Sequence, residues 1–86
     1  MPYTVTIRRE AARKLQSLGA RDRARITEKI VMLGHNPDDP RLDVKRLTGE
    51  PYHRLRVGGW RVIYDRHDQL RIITIERIKP RGDAYK

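Results

Sequence analysis

Two consecutive glycines at positions 58–59 separate two stretches of the chain in which apolar and polar residues alternate. This arrangement predicts a two-residue β-hairpin loop, because the turns that suit such loops require positive φ angles, which glycine adopts without strain. A loop of that length fixes the register, so that Val57 pairs with Trp60 and Arg56 pairs with Arg61. Opposed like charges destabilise a strand pair by up to about 1 kcal/mol, so an anion held between the two arginines would be favourable.

The same alternation sorts the side chains of the hairpin between two faces of a sheet. One face is apolar and suited to packing against helices, with Leu55, Val57, Trp60, Val62 and Tyr64. The other face carries the cations Arg54, Arg56 and Arg61. Nothing in folding requires three guanidinium groups on one face, so this pattern indicates an anion-binding surface.

The first half of the chain has the pattern of a strand followed by two helices. Residues 3–7 alternate and are rich in β-branched side chains, whereas apolar residues between 11 and 18, and again between 26 and 33, recur at helical spacing. Gly19 and Gly34 fit the C-terminal ends of these two helices. The helical hairpin therefore presents apolar stripes that need a surface to cover.

The second half of the chain returns to the alternation that is typical of strands. The clearest strands span residues 52–57, 60–65 and 70–77, and a weaker segment spans residues 44–47. We therefore predict a single α+β domain over residues 1–86, with an N-terminal strand and a helical hairpin packed on one face of a small, mainly antiparallel, four-stranded sheet. In the last strand, apolar residues occupy both odd and even positions, which fits either burial on both faces or a β-bulge. The orientations of Arg71 and Arg77 therefore stay open.

The charge of the chain constrains its partners. The net charge is +9, from 20 Lys and Arg against 11 Asp and Glu, and fifteen of the cations are Arg. Residues 44–86 hold eleven of these cations and five of the acids. Because Arg suits forked contact with phosphate, an excess of this size predicts an anionic polymer as partner, either nucleic acid or an acidic protein.

Several classes of protein are excluded by what the sequence lacks. The chain has no Cys, which excludes disulfides and thiolate metal sites, and its three scattered His do not make a metal site. The N-terminal segment has no apolar signal core, and no apolar run approaches membrane-spanning length. We expect a soluble, cytoplasmic protein that uses no metal or other cofactor.

The most specific segments of the chain are KRLTGEPYHRLRVGGWRVIYD (45–65) and LRIITIERIKPRGDAY (70–85). They resemble the RelE family within the RelE/ParE superfamily of toxins, and the resemblance extends over nearly the whole chain. In RelE-type toxins the sheet face opposite the helices, together with the C-terminal segment, cleaves messenger RNA in the ribosomal A site. The resemblance implies that Arg61, Arg81 and Tyr85 match the family's central arginine, its C-terminal arginine and its tyrosine.

RNA cleavage explains why these residue types would be needed. When a ribose 2′-OH attacks the adjacent phosphate, negative charge builds up on the phosphoryl oxygens, and Arg61 on a rigid strand could neutralise it. Tyr85 would be the general base, since surrounding guanidinium groups favour the phenolate. Arg81 would stabilise the scissile phosphate or the leaving oxygen.

One departure from the family pattern concerns the strand before the glycine loop. RelE-type sites often carry lysines there, whereas this chain has Arg54 and Arg56, and Arg is a poor proton donor because it stays protonated. The acid that protonates the leaving oxygen is therefore unassigned. We expect the RNA backbone to be bound by Arg54, Arg56, Lys45, Arg46 and Lys79.

Some relatives use an acidic residue and a histidine instead. Glu50 and His53 are nearby, but their spacing does not fit this pattern. Because His53 alternates with Arg54, it should point toward the helices.

The resemblance also implies partners. These are a ribosome with messenger RNA in its A site, and a cognate antitoxin, acidic and partly disordered, that wraps the toxin. Two alternatives remain open: a ParE-like toxin that inhibits DNA gyrase without nuclease activity, and a non-catalytic RNA-binding module. The latter would need aromatic side chains for stacking, and Tyr52 is the plausible one on the cationic face.

Overall fold

The computed structural model describes residues 2–80 and confirms the α+β class. Its elements are β1 (Thr4–Ile7), α1 (Arg9–Ser17), α2 (Ala20–His35), β2 (Asp43–Arg46), β3 (Tyr52–Val57), β4 (Trp60–His67) and β5 (Ile72–Pro80). No helix in this part of the chain is long and apolar enough to cross a membrane.

The sheet has five strands, so the predicted count of four is wrong. Their order is β1-β5-β4-β3-β2, with β1 parallel to β5 and every other pair antiparallel. The additional strand is β2, in which Val44 pairs with Leu55 of β3. This strand has only four residues, and an alternation of that length cannot be distinguished from a loop in the sequence. Between β1 and β2, the two helices carry the chain from one edge of the sheet to the other.

The helices cover one face of the sheet, and the predicted apolar residues form the core. The buried apolar residues are Ala11, Ile26, Ile30, Leu33, Leu42, Leu55, Val57, Val62, Tyr64, Ile73, Ile75 and Ile78. Trp60, which was predicted on this face, is half-buried against the core. Because one face of the sheet is used for this packing, the opposite face is left for other contacts.

Gly34 does not end α2 as predicted. It is buried within the helix, and a Cβ atom at this position would lie 2.8 Å from Val5 Cγ2. The glycine therefore allows α2 to approach β1 closely. Gly19 directly follows Leu18, the C-cap of α1, as predicted, and it is also the N-cap of α2, with an extended backbone (φ −60°, ψ 156°).

A β-bulge in β5 explains the mixed parity of its apolar residues. Ile63 pairs with Arg77 while Tyr64 pairs with Ile75, so Glu76 is an extra residue in β5. The insertion allows Ile75 and Ile78 both to face the helices, and it leaves Arg77 on the opposite face beside Ile63.

The loop between α2 and β2 is tied to the turn between β4 and β5 by charged side chains. Arg66 donates from Nη1 and Nη2 to the two carboxylate oxygens of Asp38, at 2.8 and 3.0 Å. Its Nε donates to Asp68 Oδ1 at 2.6 Å, and the Tyr3 hydroxyl donates to the same oxygen at 2.8 Å. Arg71 lies in this turn with a positive φ of 53°, and its guanidinium is 5.7 Å from the centre of the Tyr3 ring. The loop between α2 and β2 is therefore anchored to the sheet through Asp38.

Acid should weaken this anchoring. Hydrogen bonds from Arg66 lower the pKa values of Asp38 and Asp68, and those from Arg41 lower the pKa of Asp39 to about 2. Because each pKa is lower in the folded than in the unfolded chain, the stabilisation is fully present above about pH 4 and is lost as the pH falls toward about 2. We expect the thermal unfolding midpoint to fall over this range. The Asp38→Asn variant should show a shallower fall, and an unchanged slope would contradict this account.

Candidate functional site

The sheet face opposite the helices contains a cavity of about 380 Å³. It is lined by Leu47, Glu50, Tyr52, Arg54, Arg61, Ile63, Glu76, Arg77 and Lys79. Four of these side chains are cationic and two are carboxylates. Three neighbouring strands, β3, β4 and β5, supply most of the lining, so the cations are mounted on a rigid surface.

Two of the cations are buried in spite of their charge. Arg54 is 7% exposed and Arg61 is 8% exposed. Burial of a charge is costly unless it is paired, and a buried donor without a partner costs about 1–3 kcal/mol. Within residues 2–80, Arg54 Nη1 is buried and has no hydrogen-bond partner. A bound anion would offset this cost, so the cavity has the chemistry of an anion site.

The hairpin register is as predicted, but it does not bring Arg56 into the cavity. Arg56 is directly opposite Arg61 in the β3–β4 pair. Its side chain is 44% exposed and lines a separate groove of about 250 Å³ that α2 borders. Asp43, its partner on β2, lies 3.9 Å from Arg56 Nε and lines the same groove. The structure therefore brings Arg54, rather than Arg56, together with Arg61 in one cavity.

The remaining predicted RNA-binding residues do not all line the same cavity. Lys79 pairs with Arg61 across β4 and β5 and lines the cavity. Lys45 and Arg46 lie on the edge strand and line a different groove, next to the loop between α2 and β2. Arg81 and Tyr85 lie outside the described residues, and their roles stay predictions.

Two carboxylates in the cavity change its electrostatics. Glu76 accepts a hydrogen bond from Arg8 Nε at 3.1 Å, so much of its charge is compensated. Glu50 reaches the cavity from the loop between β2 and β3. The bulge turns Glu76 and Arg77 toward the cavity. Its only sequence signal is that apolar residues of the last strand occupy both odd and even positions, which does not place either side chain in the cavity.

His53 points toward the helices, as predicted. Its ring stacks on Tyr64, with ring centres 5.3 Å apart. Burial lowers the pKa of His53, and burial raises the pKa of Tyr64 to about 12. Both side chains are therefore neutral at pH 7, and neither lines the cavity.

The cavity contains side chains of the types that bind phosphate groups in proteins. Guanidinium and ammonium groups neutralise phosphoryl oxygens, and Tyr52 offers a ring on which a base could stack. Within residues 2–80, no group of three or more His, Asp or Glu side chains is placed to hold a metal ion.

Comparison with known proteins identifies the family. A family model described as the ParE toxin of the type II toxin-antitoxin system, parDE, matches residues 5–85. The RelE1 protein of Methanocaldococcus jannaschii is 34% identical over 88 residues, which cover all of this chain and 98% of that protein. The chain belongs to the RelE/ParE family of toxins.

Solved structures of RelE/ParE toxins share the whole fold. RelE in the RelE-RelB complex from Pyrococcus horikoshii superimposes with a TM-score of 0.83 at 34% identity, covering 98% of this chain and all of that one. The RelBE2 toxin-antitoxin complex from Mycobacterium tuberculosis gives a TM-score of 0.76 at 28% identity, covering 94% of this chain and all of the matched one. The RelE-like architecture predicted from the sequence is therefore confirmed.

Proposed function

We propose that this RelE/ParE-type toxin is a ribosome-dependent endoribonuclease that cuts translated messenger RNA in the ribosomal A site. The observation that carries the proposal is the cavity in which buried Arg54 and Arg61 lie beside Lys79 on adjacent strands. Translation would stop because the message is cut. A cognate antitoxin, acidic by complementarity to the +9 charge, would hold the toxin inactive.

In the proposed reaction the ribose 2′-oxygen attacks the adjacent phosphorus, and the bond from phosphorus to the 5′-oxygen breaks. The products are a 2′,3′-cyclic phosphate and a free 5′-hydroxyl. Tyr85 takes the proton of the 2′-hydroxyl as general base, and Arg81 contacts the phosphate or the leaving oxygen. Arg61 and Arg54 neutralise the charge that builds up on the non-bridging oxygens, where fixed cations are more effective than water.

Lys79 is the residue to which we assign protonation of the leaving oxygen. It pairs with Arg61 across the strands and lines the same cavity. An ammonium group can donate a proton, whereas a guanidinium group stays protonated up to about pH 12. Lys79 therefore replaces the lysines that are absent from the strand before the glycine loop.

Mapping of cut transcripts tests the proposed function. Purified toxin should be added to a translating extract, and the transcripts analysed by primer extension. We expect new 5′ ends within translated codons, and none when an initiation inhibitor keeps ribosomes off the message. Cuts that do not depend on translation, or no cuts at all, would contradict the proposal.

The matched family model is that of the ParE toxin. The second candidate is therefore a ParE-like toxin that inhibits DNA gyrase without nuclease activity. The same purified protein should be added to a DNA supercoiling assay. Loss of supercoiling activity, with transcripts left intact in the extract, would favour gyrase inhibition over RNA cleavage.

A further inference from the structure

The carboxylate of Asp43 lies between two arginines of the neighbouring strand. Its Oδ1 is 3.7 Å from Arg54 Nη2, and its Oδ2 is 3.9 Å from Arg56 Nε. Asp43 is directly opposite Arg56 in the pairing of β2 with β3, and Arg54 follows two residues away on the same face. One exposed carboxylate on the edge strand thus compensates two cations, one of which lines the cavity.

These ion pairs are looser than others in the same chain. Arg66 and Asp38 form a forked pair with hydrogen bonds of 2.8 and 3.0 Å. The distances from Asp43 exceed 3.5 Å, which is too long for hydrogen bonds. Asp43 therefore compensates the charge of Arg54 without accepting a hydrogen bond from it. The buried Nη1 of Arg54 has no hydrogen-bond partner within residues 2–80.

We propose that Asp43 is the resident counter-ion of the RNA site. In the RNA-free toxin it compensates Arg54 and Arg56, and a phosphodiester of the bound RNA displaces it from Arg54. This inference rests on the proposed RNA-cleaving function. The phosphodiester displaces the Asp43 carboxylate because a forked, charge-assisted contact with Arg54 is stronger than a loose ion pair. Asp43 thus stabilises the RNA-free fold and at the same time lowers the affinity for RNA.

The Asp43→Asn variant separates these two effects, because it removes the charge and keeps the shape. The probe is a short single-stranded RNA with 2′-O-methyl groups throughout, which cannot be cleaved by 2′-oxygen attack. In fluorescence anisotropy we expect the variant to bind about three- to tenfold more tightly, as estimated for one charge removed near the phosphate. The slope of log K against log salt should steepen by up to about 0.7. Without RNA, the thermal unfolding midpoint of the variant should fall by a few degrees.

Asp22→Asn is the matched control, since it removes the same charge from helix α2. It should change the RNA affinity by less than about twofold, because α2 lies on the face of the sheet opposite the cavity and solvent and salt screen the charge there. Weaker RNA binding by Asp43→Asn would mean that Asp43 is only structural, and would overturn the proposal. Equal tightening by both variants, or no RNA binding by wild type and variant alike, would also overturn it.

The transcript-mapping experiment distinguishes failure of this proposal from failure of the proposed function. If the wild-type protein cuts no transcripts but Asp43→Asn binds RNA more tightly, the counter-ion role stands and RNA cleavage fails. If the wild-type protein cuts transcripts and Asp43→Asn binds no more tightly, only the counter-ion role fails.

Discussion

Replacing Arg61 with Ala should lower the rate of transcript cleavage by about 100- to 1000-fold, as is typical when one group that stabilises transition-state charge is removed. Arg61 is buried in the cavity among other cations, so its charge acts at short range and with little screening by water. The rate should be measured on ribosomes stalled with a defined codon in the A site. Arg61→Lys should recover part of the rate, because it restores the charge but lacks the guanidinium fork.

Two controls make the Arg61 result interpretable. Arg13→Ala removes an exposed arginine from helix α1 and should leave the cleavage rate near that of the wild type. Thermal unfolding of Arg61→Ala should remain cooperative, because the side chain lies on the sheet face away from the core. Cleavage by a folded Arg61→Ala protein at the wild-type rate would show that the cavity is not the active site.

Replacing Lys79 with Arg should lower the cleavage rate by about 100-fold or more, within the range for loss of a general acid. The substitution keeps the positive charge and replaces an ammonium group, which can donate a proton, with a guanidinium group, which is a poor proton donor. A substrate with sulfur in place of the 5′-bridging oxygen should restore the rate, because a thiolate leaves without being protonated. The cleavage rates of the wild-type and Lys79→Arg proteins should be measured on the oxygen substrate and on the sulfur substrate.

The rescue by sulfur distinguishes proton donation from simple charge compensation. Lys29→Arg makes the same substitution on helix α2 and should cleave both substrates at the wild-type rate. If Lys79→Arg cleaves the sulfur substrate as slowly as the oxygen substrate, Lys79 does not protonate the leaving group.

The hairpin was predictable because its register depends only on local sequence. A two-residue glycine loop allows a single register, in which Arg56 pairs with Arg61. Alternation along the two strands then assigns Leu55 and Val62 to the core. The positions of the cations relative to one another could not be predicted in the same way. They depend on contacts between distant segments, such as that with Asp43, which lies thirteen residues before Arg56 and comes beside it only when the sheet forms.

Two other features depended on contacts between distant segments. Gly34 has the sequence signal of a helix end, but its role is to let α2 approach Val5 of β1. The bulge at Glu76 was one of two alternatives that fit the apolar pattern, and the pairing of β4 with β5 decides between them. Of the predicted site residues, Arg54, Arg61 and Lys79 line one cavity, whereas the contribution of the C-terminal segment stays a prediction.

The bulge in β5 restricts how this strand can vary in evolution. Ahead of Glu76 the strand supplies Ile73 and Ile75 to the core, and beyond it the parity reverses, so that Ile78 packs inward while Lys79 lines the cavity. If the same residues paired without the bulge, strict alternation through Glu76 would exchange the two environments, burying the Lys79 ammonium group and exposing Ile78. Changes that straighten the bulge would therefore damage the core and the cavity together, because one strand serves both.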